Sequence, residues 1–253
     1  MTLGWILAAS FAGGTLSAAL AAFALYLRAS WIPMLVSFAI GTLLGAAFLE
    51  VIPAAFDQGD AHEAAVAILA GIFGFFVLEK LMLWRHCHTE DCEAHDHHAD
   101  SHDQGRSGAL IIVGDTIHNF VDGVLIAAAF LQGKDIGIVA AVAIIAHEIP
   151  QEVGDFLILL HSGYSRARAL AMNLLSSLAT IVGGLLGYYG LQAFQGFEPT
   201  LLGIVGASMI YVAVADLIPG LHRRPHLRDG ATQTVLIALG IGCIALVRTL
   251  VSH

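Results

Sequence analysis

The chain of 253 residues is 57% hydrophobic and only 12% charged. A soluble globular domain carries about 25% charged residues, so this balance, with a positive mean hydropathy, excludes an ordinary soluble fold and indicates a polytopic membrane protein. The net charge of −9 comes without a basic patch, which excludes a nucleic-acid binder, and three cysteines (Cys87, Cys92, Cys243) give no disulfide framework.

A helix needs about 20 largely apolar residues to cross a bilayer. Eight stretches qualify: 3–27, 31–56, 62–84, 108–131, 136–161, 167–193, 200–220 and 231–251. Residues 1–27 are uncharged and lack a basic leader, so they read as a retained first helix rather than a signal peptide. Turn and charge signals fill the breaks, from Arg28–Pro33 to His222–Gly230. The expected fold is an all-α polytopic membrane protein of eight transmembrane helices. Its expected divisions are three spans in 1–84, a polar loop in 85–107 and five spans in 108–253, all one membrane domain.

Lys and Arg set the orientation. With the N-terminus outside, Arg28, Lys80, Arg85, Arg106, Arg166, Arg168, Arg223, Arg224 and Arg228 fall on or beside the cytoplasmic loops, against Lys134 and Arg248 on the other side. That bias appears only with an even number of spans between those loops. It predicts both termini outside a plasma membrane.

The loop 85–107 holds six histidines, six acids and two cysteines. It is too polar to pack a core and is expected to be disordered. Its histidines would bind metal loosely, while the C-x4-C spacing does not suit a closed tetrahedral zinc site.

Span two ends Glu50–Val51–Ile52–Pro53 and span seven ends Asp216–Leu217–Ile218–Pro219. The two spans cross in opposite directions. The echo predicts inverted repeats, spans 1–3 and 6–8, around a central pair, spans 4–5. In transporters such repeats flank a substrate site near the midplane. Gly41 with Gly45, and Gly183 with Gly187, are four residues apart, the spacing of close helix packing.

The chemistry sits in spans four and five. Asp115, His118, Asn119 and Asp122 share an arc of about 100° on a helix. His147, Glu148, Gln151, Glu152 and Asp155 lie within about 140° of one another. An acid near the centre of a lipid-exposed span costs about 2.5–3.5 kcal/mol, and five acids lie in these two spans. Facing one another around a cation removes most of that cost. Imidazoles, carboxylates and amide carbonyls are ligands that borderline divalent metals choose. His118 with Asp122, and His147 with Gln151, are each one turn apart, so each pair reaches one metal. Asn119 and Glu148 point about 100° away from the neighbouring histidines, toward a second ion or a gate. Pro150 lacks an N–H and loosens the turn at Ala146. On span six, Asn173, Ser176, Ser177 and Thr180 form a polar stripe that either lines the same pathway or bonds between helices. Glu50 and Asp216, toward the ends of their helices, read as interfacial acids in preference to ion entry or exit residues, and Met34 and Met209 as packing.

His118–Asn119–Phe120–Val121–Asp122–Gly123 and His147–Glu148–Ile149–Pro150–Gln151–Glu152–Val153–Gly154–Asp155–Phe156 resemble the fourth- and fifth-helix signatures of the ZIP (Zrt/Irt-like) metal-ion transporters, in the pattern of the LIV-1 branch. Tyr211–Val–Ala–Val–Ala–Asp–Leu–Ile–Pro219 resembles the family's seventh helix. The His-rich loop, eight spans and outside termini fit too, and no large extracellular domain precedes span one, as in a minimal bacterial member. The resemblance implies a binuclear centre, with His118, Asp122, His147 and Gln151 at the first site and Asn119, Glu148 and a bridging Gln151 at the second. Glu152 completes the expected metal-binding set. Gln151 departs from the family: LIV-1 members usually have His there and other ZIPs Glu, and a neutral amide cannot bridge two cations as a carboxylate would. The resemblance further implies a homodimer, and an elevator-like movement of spans one, four, five and six against two, three, seven and eight.

The expected function is secondary transport of Zn2+ into the cytoplasm, with Fe2+, Mn2+ and Cd2+ as further substrates. Divalent metal ions and membrane lipid are the expected partners, and no enzymatic activity is expected. An intramembrane metalloprotease would need H-E-x-x-H, but Gln151 stands at the second His. A cation efflux exchanger would need six spans and a soluble domain. A membrane-embedded sensor would bind metal without flux.

Overall fold

A computed structural model describes residues 1–23, 31–86, 106–192, 198–222 and 227–251. The described residues form helices and short turns, with no strand among them. Eight helices are long and apolar enough to cross a membrane. They are α1 (Thr2–Phe23), α2 (Ile32–Asp57), α3 (Ala61–His86), α4 (Arg106–Gln132), α5 (Lys134–His161), α6 (Arg166–Leu191), α7 (Pro199–Leu221) and α8 (Leu227–Val251). The eight expected spans are therefore present. Residues 87–105, most of the His-rich loop with Cys87 and Cys92, lie outside the described residues.

The helices pack as two groups. In one, α1 lies against α5 and α6, and α4 against both α5 and α6. In the other, α2 packs on α8, and α3 on α7. The main seam between the groups runs between α2 and α5, with smaller contacts of α4 on α7 and α5 on α8. Helix α5 is the centre of the molecule: 72% of its apolar window is buried, against 11% for α8. Val139, Ala140, Ala143 and Ile144 of α5 join Ile40 and Leu43 of α2 in the core.

Small residues set the tightest contacts. A Cβ on Gly183 of α6 would run into the backbone oxygen of Phe120 in α4, and one on Gly123 of α4 into that of Thr180 in α6. Gly41 of α2 stands in the same relation to Ile237 of α8, and Gly240 of α8 to Phe38. Backbones approach this closely only where side chains are absent. Both glycine pairs singled out in the sequence lie at such interfaces, Gly45 against Ile241 and Ile244, and Gly187 against Val124 and Ala127.

Helices α2 and α7 each carry one wide π turn, Ala47–Val51 and Val212–Leu217. Each is followed at once by Ile–Pro, Ile52–Pro53 and Ile218–Pro219. A proline cannot donate to the helix ladder and clashes with the carbonyl four residues back; a π turn relieves both within a continuous helix. The short sequence echo is thus an echo of backbone geometry, carried by two helices that run in opposite directions. By contrast, Pro150 is absorbed within α5 without a break.

Short connections fix the central helices. Gly133 alone separates α4 from α5, so they form a hairpin. The α5–α6 turn closes through Gly163 (φ +87°), with the Gly163 N–H donating to Leu160 O and the Tyr164 N–H to Leu159 O. A left-handed residue at a helix C-terminus is most easily glycine. Ser165 then caps α6, its hydroxyl accepting from the Arg168 N–H at 3.3 Å.

Candidate metal centre

The α4–α5 hairpin brings its two signatures face to face within the helix bundle. Nε2 of His118 lies 3.2 Å from Nε2 of His147. The Asp122 carboxylate oxygen Oδ2 is 3.4 Å from the first and 3.2 Å from the second. The rings meet edge to face. Three ligand atoms from two helices lie within 4.8 Å of one another. This is the geometry the one-turn spacing of His118 and Asp122 predicts, with His147 supplied from across the hairpin. Asp122 Oδ2 and His147 Nδ1 are buried and have no hydrogen-bond partner. The His118 side chain is the most open of the three, at 25% exposure.

A second polar cluster lies one turn along α4. The Asn119 amide Nδ2 donates to Asp115 Oδ1 at 3.0 Å and to Glu152 Oε1 at 3.3 Å. The Gln151 amide Nε2 also donates to Asp115 Oδ1, at 3.4 Å. The polar stripe of α6 closes this cluster. Ser177 Oγ donates to Glu152 Oε1 at 3.1 Å, Thr180 Oγ1 to Asn119 Oδ1 at 3.4 Å, and Asn173 Nδ2 to the Glu152 carbonyl at 2.9 Å. The stripe thus bonds between helices, one of its two sequence readings.

Of the seven residues the sequence singled out, His118, Asp122 and His147 come together. Asn119, Gln151 and Glu152 belong to the adjoining cluster. Glu148 goes elsewhere: it is buried with Oε1 unpartnered, and its Oε2 faces Gly13 of α1, 2.9 Å from where a Cβ would stand. That direction follows from its 100° offset from His147. The Gln151 amide gives its N–H to Asp115, which leaves its carbonyl oxygen as the only atom that could serve as a ligand.

Cavities adjoin the histidines on two sides. One of about 410 Å³ is bordered by Asp115, His118, Gln151, Asp155 and Asp216. It reaches Val36 and Ile111, and a further cavity of about 320 Å³ shares Val36, Asp216 and Leu217 and extends to Ile32 and Leu221. Ile32 begins α2 and Leu221 ends α7, so this path runs to the Arg-rich end of the molecule. A second space of about 160 Å³ lies between α3, α4 and α7, bordered by Glu79, His118, Asp122, Ser208, Tyr211 and Asp216. Here the Tyr211 hydroxyl donates to Glu79 Oε2. Asp216 borders all three spaces. At the opposite end of the molecule, Glu50 pairs with Arg248 Nε at 2.7 Å. Met209 is buried, whereas Met34 is exposed.

Sequence reasoning missed Glu79 and Ser208. Glu79 precedes Lys80 near the expected end of span three, where an acid is ordinary. Its one signal was a tyrosine on span seven, which no spacing rule connects to span three.

A family model described as "ZIP Zinc transporter" matches residues 2–105 and 84–248. The chain belongs to the ZIP zinc transporter family. It is similar to zinc transporter ZIP13 of Pongo abelii, 33% identical over 229 residues, which is 82% of this chain and 64% of that protein. The ZIP13 homolog of Drosophila melanogaster is 27% identical over 278 residues, 87% of this chain and 78% of that protein. Zinc transporter YKE4 of Saccharomyces cerevisiae is 28% identical over 241 residues, 84% and 70% respectively. The chain spans about two thirds of the length of the mammalian ZIP13 relatives it matches. Within the ZIP family match lie both signature helices, the π turns and the His-rich loop.

Proposed function

We propose that this chain is a secondary transporter that moves divalent transition-metal ions, Zn2+ foremost, through the membrane into the cytoplasm. The observation that carries this is the convergence of His118, Asp122 and His147 from two membrane-spanning helices. Two imidazoles and a carboxylate suit zinc, and an incomplete set keeps a position open. Fe2+, Mn2+ and Cd2+ fit the same ligands less selectively, since affinity order alone does not choose the cargo. Asn119, Gln151 and Glu152 lie in the polar cluster beside the three, while Glu148 faces α1.

The path from His118 past Asp115, Asp155 and Asp216 supports release toward the Arg-rich side. The charge bias makes that side cytoplasmic and both termini extracytoplasmic, in a plasma membrane. The division of the helices into α1, α4, α5 and α6 against α2, α3, α7 and α8 supports movement of one group along the other, with the ion carried on the first. A homodimer would bury part of the exposed apolar faces of α3 and α8. Gln151 stands where a protease motif would need its second histidine.

Uptake of radioactive Zn2+ into proteoliposomes tests the reading. The His118→Ala and His147→Ala variants are expected to abolish flux, since each removes a ligand atom, while deletion of 86–103 leaves flux in place with an altered rate. Wild-type flux in both histidine variants would overturn the site, and binding without flux in the wild type would make the protein a sensor.

A further inference from the structure

We propose that one acyl chain of a membrane phospholipid lies in a cleft between α3, α4 and α7 and seals the histidine site from the side. This goes beyond the transport reading and does not depend on which ion is carried.

The cleft is a space of about 460 Å³. Small residues of α3 line it, Ala67, Ala70, Gly71 and Gly74, opposite Ile204 of α7 and Val121 of α4. Gly71 is pressed onto α7, where a Cβ would run into Ala207. A Cβ on Gly74 would meet nothing within 4 Å, so the absent side chain leaves open room. Every bordering residue is apolar except Thr200, in the first turn of α7. A purely apolar space stays dry, and left empty it would cost its walls their dispersion contacts. In a membrane the apolar filler at hand is lipid. The cleft opens beside Leu69, Phe73 and Phe76, which are exposed, on a helix with only 17% of its apolar window buried. It is therefore continuous with the surface that a multi-pass protein turns to the bilayer.

Length and charge choose the kind of lipid. From Ala67 to Leu78, α3 rises about 16 Å, close to the half-thickness of the hydrocarbon core, about 15 Å. One chain from the leaflet on the Thr200 side thus reaches from the membrane surface to the midplane. At its deep end the cleft shares Phe75, Leu78 and Val121 with the space of about 160 Å³ that borders His118 and Asp122. The ligands therefore open sideways toward hydrocarbon, where an uncompensated charge is costly. Glu79 and Asp216 border the same space. With Asp122 they would repel the carboxylate of a free fatty acid or an anionic head group, so a neutral chain end is what fits. A methyl end at Val121 keeps water and head groups from the ligands and cannot itself compete for the ion.

The test places the full chain in proteoliposomes containing phosphatidylcholine with a photoreactive diazirine on one acyl chain, and locates the adducts by mass spectrometry after irradiation. A diazirine near the methyl end is expected to mark Val121 or Leu125, and one near the glycerol end Ala67 or Thr200. Gly74→Leu fills the cleft where there is room. It is expected to lose the Val121 and Leu125 adducts and to keep those on the exposed Leu239 and Leu246 of α8, which report an intact fold. If Gly74→Leu does not fold, the two probe positions on the wild type decide alone. The proposal is overturned if adducts stay on exposed faces only, if the deep adducts survive Gly74→Leu, or if the two probes exchange places. Crosslinking of two copies through Ala70→Cys in place of lipid adducts would give the cleft to a second copy and overturn it likewise. Zn2+ flux is no part of this readout, so the transport reading and the lipid seal fail independently.

Discussion

At the scale of single residues, hydrogen bonds decide which groups remain free for an ion. Asp115 takes the N–H groups of both Asn119 and Gln151, and so fixes which end of each amide turns toward it. The sequence placed Asp115 on the correct face of its helix. It could not show that two neighbouring amides would spend their donors on that one carboxylate, because the contact depends on the rotation of α5 about its own axis. The Tyr211–Glu79 bond is a contact of the same kind, made between distant helices. Replacing Tyr211 by Phe removes the donor and keeps the ring. The expected cost is about 1–3 kcal/mol, read as a lower thermal midpoint in detergent. An unchanged midpoint would show that the hydroxyl does not stabilise the fold.

At the scale of elements, helix α6 offers an internal comparison. Gly183 lies against the backbone of α4, while a Cβ at Gly190 would meet nothing within 4 Å. Gly183→Ala is expected to destabilise by about 1–3 kcal/mol through overpacking. Gly190→Ala is expected to stabilise slightly, by up to about 1 kcal/mol, because alanine is the better helix former. Opposite shifts in thermal midpoint on one helix would confirm that the α4–α6 contact sets the limit; equal shifts would refute it. Spacing alone suggested Gly183 with Gly187, and the same spacing rule found the α2–α8 contact at Gly41 with Gly45. Hydropathy likewise located all eight helices, because lipid demands long apolar runs and tolerates little else. The π turns were not legible. A turn with one extra residue leaves the apolar composition unchanged and shifts only the phase, so it appeared in the sequence merely as a repeated Ile–Pro after an acid.

At the scale of the whole molecule, α5 begins at Lys134 and α6 begins at Arg166, which puts these two exposed positions at opposite ends of the bundle. The charge bias assigns Lys134 to the outside. In a cysteine-free background, a membrane-impermeant thiol reagent added to intact cells is expected to label Lys134→Cys and spare Arg166→Cys. The reverse pattern would invert the orientation and turn the proposed import into export. Orientation was read from eleven basic residues, whereas the two-group packing of the helices was visible only in the structure, since no local pattern states which crossings touch.

The wide turns in α2 and α7 also bear on how distant relatives are compared. Each adds one residue to its helix, so every side chain beyond it is rotated by about 100° relative to an uninterrupted helix. A homologue lacking the bulge will align there with a gap of a single position. Such a gap marks a shift of phase: Glu50 or Asp216 would have its counterpart one place along the chain, and scoring the acid as missing would mistake bookkeeping for biology.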